Sequence, residues 1–166
     1  MKLYELKSSL NYLCEFLDKN YSINCGGCCL LAYLIAQHLD KLSVKYKLVI
    51  YDDCLKESDK ITEEILRMSK KKDNCKSVIG DGTCFHYSLL IEGAGTINEY
   101  FNEDESEYKY IIDKVHYRNI KWIYKHGSWN DLYDISNNDT VKGIINAFFK
   151  KYEKDNLSNY KSTQMS

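Results

Sequence analysis

Proline is absent from this chain, and of its 23 basic residues only Arg67 and Arg118 are arginines. Each shortage removes something. Cis peptide bonds are essentially a proline matter, so the shortage argues strongly against folds that set a cis-prolyl turn opposite a reactive loop. Arginine is the preferred group for bidentate phosphate and base-edge contacts, and a formal net charge of −1 adds no basic surface. Together these argue against a nucleic-acid or anionic-membrane partner. No apolar run approaches the length of a membrane span. No signal peptide is expected, because Met1-Lys2-Leu3 leads straight into a mixed charged and apolar stretch. Seven cysteines, an odd number unevenly spaced, then read as reduced thiols. The expected setting is cytoplasmic. A richness in Lys, Asn, Ile and Tyr points to an AT-rich genome, such as a low-GC bacterium or its phages, in which case the setting is the host cytoplasm or the virion.

What is present is enough for one globular domain: 166 residues, 44% hydrophobic and 28% charged. We expect that domain over residues 1–155, with 156–166 as a flexible tail. Leu3, Leu6, Leu10, Leu13, Cys14 and Leu17 recur at spacings of three and four, predicting an amphipathic helix that ends near Asn20. Gly26-Gly27 breaks the chain. Cys28–Leu42 is apolar nearly all round, which predicts a buried central helix. Tyr46–Tyr51 reads as a strand, and Ser58–Lys70 as a surface helix before a loop over Lys70–Thr83. Cys84–Ile91 and Thr96–Phe101 are extended runs about a Gly-containing turn, a hairpin. Glu103–Glu107 reads as an exposed acidic loop. Tyr108–His126 is aromatic-rich and ambiguous, with further strands the nearest reading. Thr140–Tyr152 is a last amphipathic helix, frayed from Asp155. Helices first and a hairpin later make an α+β domain.

The segment Asn24-Cys25-Gly26-Gly27-Cys28-Cys29 carries the most chemistry. A cysteine at a helix start feels the unpaired N–H groups there, which favours the thiolate, the reactive species. The glycines let the backbone approach a substrate carbonyl, as an oxyanion hole requires. Cys28 is therefore the candidate nucleophile. His86 in the Cys84–Ile91 strand is the candidate base, sharing a face with Ser88 and Leu90. Asn98, twelve residues on across the hairpin, is the candidate that orients the ring. Asn24 and Gly27 are the oxyanion-hole candidates. His38 is read as structural, and Trp122, Tyr124, Trp129 and Tyr133 as core and rim packing.

Cys25-Gly26-Gly27-Cys28 resembles the stretch around the papain-type nucleophile. The spacing to His86 is closer to transglutaminase-like hydrolases and arylamine acetyltransferases, which share that core. Cys28, Ala32, Leu34, Leu39, Leu42, Val44 and Lys47–Val49 fall on the helix-turn-strand pattern of those families, His86–Ile91 on the histidine strand, and Asn98 on the following acid or amide. The resemblance spans roughly Asn24–Phe101. It implies a papain/transglutaminase-like core, with the cysteine's central helix packed on an antiparallel sheet. It also implies a Cys-His-Asn acyl-transfer enzyme, a thiol hydrolase or peptidase acting on a peptide or amide without a cofactor. The sequence departs from the pattern at Cys29, where papain-type enzymes carry an aromatic residue, and at Asn98, where an aspartate is usual.

Three rivals stand beside it. Cys25, Cys28, Cys84 and His86 have the residue types and spacing of a Cys3His zinc site. Cys25-x2-Cys28 has the spacing of a thiol–disulfide exchange site, but that fold places a strand first and a cis-proline opposite. A structural or phage protein could also keep the fold without the activity.

Overall fold

Leu6, Leu10, Leu13, Cys14 and Leu17 wind onto one side of a 3.6-residue repeat, and all five are buried along helix α1, Leu3–Tyr21. The structure is a computed structural model, and it describes residues 2–52, 85–99, 108–113, 115–126 and 138–165. The helix expected over Ser58–Lys70, the loop that follows it and the acidic Glu103–Glu107 lie outside those residues, as do Cys84, Trp129 and Tyr133. Helix α1 stops where Ser22 turns left-handed at φ 51° and donates its N–H back to the Asp18 carbonyl. Gly26 follows at φ 93°, a conformation that costs a side-chain-bearing residue about 1–2 kcal/mol.

Helix α2, Cys28–Lys41, then passes through the middle of the core with Cys28, Cys29, Leu31, Leu34, Ile35 and Leu39 all buried. Four strands follow: β1 (Tyr46–Asp52), β2 (Phe85–Ile91), β3 (Gly95–Ile97) and β4 (Tyr108–Ile112). They pair antiparallel throughout, in the order β3-β2-β1-β4. Helix α3 spans Tyr117–His126 and helix α4 Asn138–Met165. The described residues thus form an α+β fold. No helix among them is long and apolar enough to cross a membrane.

Two expectations change. The second half of Tyr108–His126 is helix, because Ile120 and Ile123 sit three apart and both bury against the core, overriding the strand preference of its aromatics. Helix α4 also continues unbroken past Asp155 to Met165, where a frayed tail was expected. Its inner stripe, Val141, Ile145 and Phe149, repeats every four residues and is buried. Phe149 stacks on His38 with centroids 4.3 Å apart, and His38 Nε2 lies 2.9 Å from the Asn146 amide oxygen. That contact gives His38 its structural role.

Register decides the two faces of the sheet. Tyr51 pairs with His86 and Val49 with Ser88, while Ile50 pairs with Tyr87 and Leu48 with Leu89. Tyr87, Leu89, Ile91, Leu48 and Ile50 join α2 in one continuous hydrophobic core. By the period of two, His86, Ser88, Val49 and Tyr51 belong to the other face, and they too are buried.

Candidate functional site

Cys28 opens α2, with Gly27 as the N-cap residue and no side chain capping the helix. Its side chain is buried, at 6% exposure. Burial pushes the thiol up to about 11, partly offset by backbone hydrogen bonding from Tyr87, Cys29 and Cys28 itself. Sequence reasoning expected the helix start to favour the thiolate. The helix N–H groups do act in that direction, but loss of water outweighs them. The Tyr87 contact places the sulfur against the backbone of β2, one residue along from His86.

His86 is nearly as buried, at 7% exposure, and its Nε2 lies 2.7 Å from the backbone carbonyl of Asn98. A carbonyl only accepts, so Nε2 carries the proton and Nδ1 is the basic nitrogen of the neutral ring. Ser88 Oγ donates to the same carbonyl at 2.6 Å. Asn98 therefore meets the ring through its main-chain carbonyl, whereas the expectation was a contact from its side-chain amide. It stands one residue past β3 at φ 53°, a left-handed conformation that Asn tolerates better than most residues.

The Asn98 side chain pairs with Asn24. Asn98 Nδ2 donates to Asn24 Oδ1 at 2.9 Å, and Asn24 Nδ2 donates to Asn98 Oδ1 at 3.0 Å. Each amide retains one further N–H beyond this pair. Gly27, the other oxyanion candidate, already donates its N–H to the Ile23 carbonyl at 2.8 Å. Its place is therefore conformational. The hydrogen bonds so bring Asn24, Asn98, His86 and Ser88 together. Cys28 reaches the same stretch of β2 from the core face, whereas the pleat assigns His86 to the opposite one.

Sequence reasoning missed Asn11. It lies on α1 and accepts the Asn98 N–H through Oδ1 at 3.0 Å. Its one signal in the sequence is a poor helix former set between the buried Leu10 and Leu13. A cavity of about 330 Å³ is lined by Asn11, Asn24 and Asn98 together with Cys14, Thr96 and Glu99. A larger one of about 450 Å³ lies at the far end of α2, around Asp40 and Tyr46. Its lining among the described residues holds neither cysteine nor histidine, so the smaller cavity is the one joined to the site. Cys28 and His86 line neither cavity.

Of the zinc set, Cys25 is exposed, Cys28 is buried and Cys84 lies outside the described residues. No family model, curated protein or solved structure matches the chain. The site's own geometry therefore carries the functional reading.

Proposed function

We propose that the protein is a cysteine-dependent acyl-transfer enzyme with a papain/transglutaminase-like core, most simply a thiol hydrolase acting on a peptide or amide. The observation that carries this reading is the Nε2-to-Asn98 hydrogen bond. It supports Nδ1 of the neutral His86 ring as the atom that takes the proton, on the strand whose backbone meets Cys28. With a buried neutral thiol, the nucleophile is made on demand. Because Cys28 meets β2 from the core face and His86 stands on the opposite one, this reading needs a bridging water or substrate group to carry the Sγ proton to Nδ1 as sulfur attacks the carbonyl carbon. The imidazolium then returns it to the leaving amine. Water then cleaves the thioester by the same route in reverse roles. The further amide N–H of Asn24, beyond its pair with Asn98, is the donor this reading assigns to the oxyanion.

Burial of Cys28 and its raised thiol favour a second reading, a protein that keeps this arrangement without the activity. One experiment separates the two. Limiting iodoacetamide is applied across pH 5 to 9 and the labelled cysteine mapped by peptide mass spectrometry. The enzyme reading expects Cys28 to label below the pH of an ordinary buried thiol, and His86→Ala to slow it at least tenfold. Equal labelling of wild type and His86→Ala would leave only the inactive reading. Protection of Cys25 and Cys28 that a chelator relieves would revive the zinc site.

A further inference from the structure

The ring of His86 is oriented by a main-chain carbonyl, so whatever fixes that carbonyl fixes the ring. Asn98 needs such support. It sits past the last rung of the β2–β3 ladder, where Leu89 pairs with Ile97, and it is left-handed at φ 53°. Neither the sheet nor the preferred backbone wells hold it there. Two side chains from distant parts of the chain do. Asn11 on α1 accepts its N–H, and Asn24 pairs with its amide through two hydrogen bonds. On its other side the carbonyl receives Ser88 and His86. Asn98 thus relays α1 to the histidine, with Asn11 at one end and the imidazole at the other.

We infer that Asn11 is a positioning residue for His86, acting through the Asn98 main chain to hold the imidazole in the Nε2–H tautomer with Nδ1 as its basic atom. Its catalytic meaning rests on the hydrolase reading, but the tautomer does not. Asn11 needs only its acceptor oxygen for this role. A side chain of the same shape that accepts but cannot donate will serve, and one that does neither will not.

The test is long-range ¹H–¹⁵N NMR of the full chain labelled at histidine, with the His86 signals assigned by their loss in His86→Gln. Wild type is expected to show well-separated Nδ1 and Nε2 resonances for a neutral ring held in one tautomer. Asn11→Ala should lower the tautomer ratio roughly fivefold, the worth of one net hydrogen bond, and draw the two resonances together. Asn11→Asp, which keeps the acceptor, should restore the separation. The His38 and His116 signals report that the fold is intact. An unchanged ratio in folded Asn11→Ala overturns the inference, as does an Asp variant that behaves like the Ala one. Should Asn11→Ala fail to fold, Asn11→Leu, of like size but without an acceptor, is measured in its place, and an unchanged ratio there overturns the inference equally. Alkylation of Cys28 in the same variants keeps the two ideas apart. A thiol indifferent to His86 sinks the hydrolase while leaving the tautomer result standing.

Discussion

Two donors converge on the Asn98 carbonyl, and they differ in what their loss should do. Ser88 is 1% exposed and its hydroxyl lies 2.6 Å from that oxygen. In Ser88→Ala the oxygen keeps His86 as a partner and the new methyl fits a face already apolar at Val49, so no acceptor is stranded. The expected cost is about 1 kcal/mol, read as a lower urea midpoint at unchanged slope. A loss of more than about 3 kcal/mol would mean that the carbonyl itself had moved. At this scale the sequence was informative about residue type and poor about environment. Cys28 could be placed at a helix start from Gly26-Gly27 and the apolar run behind it. That burial would outweigh the helix N–H groups was not legible, because the core that closes over Cys28 is assembled from distant elements, β2 among them, which follows only at Phe85.

The end of β3 is where element and site meet. The strand is three residues long and closes with Asn98 in the left-handed region. Asn98→Gly and Asn98→Ala both lose the amide pair with Asn24, but only alanine carries a β-carbon in that conformation. The alanine variant should be the less stable by about 1 kcal/mol, and identical urea midpoints would contradict the conformation. Strongly periodic elements were legible: α1, α2, β1 and β2 begin and end within a few residues of where patterning predicts. The Tyr108–His126 segment was not, since its aromatics suit a pleated surface as well as a helix face. The hairpin was foreseen, but not that its second strand would yield to a left-handed turn before Asn98 could join the ladder. That difference transfers the contact with His86 from side chain to main chain.

For the whole molecule, the buried thiols set an alkaline limit. Burial pushes Cys14 up to about 12 and Cys28 up to about 11. Above the ordinary thiol range the unfolded chain releases protons that the folded chain keeps, so the unfolded state binds fewer protons and stability must fall with rising pH. The contribution is fully present below the ordinary thiol pKa of about 8.5 and is lost as pH climbs through the raised values. Urea midpoints should therefore be level between about pH 7 and 8 and decline beyond about 9, with a shallower decline in Cys14→Ala. An equally steep decline in that variant would assign the loss to other groups. The sheet order β3-β2-β1-β4 was not legible in the sequence, because strand alternation states which face is apolar and not which strand lies beside which. The same topology has a consequence in time. The Asn11–Asn98 bond joins residues 87 apart. At a synthesis rate of about 5–20 residues per second, the leucine face of α1 would wait roughly 4–17 seconds for the strand that it packs against. Over that interval the nascent chain displays Leu6, Leu10, Leu13 and Leu17 to the cell, and a holding chaperone would find its grip there.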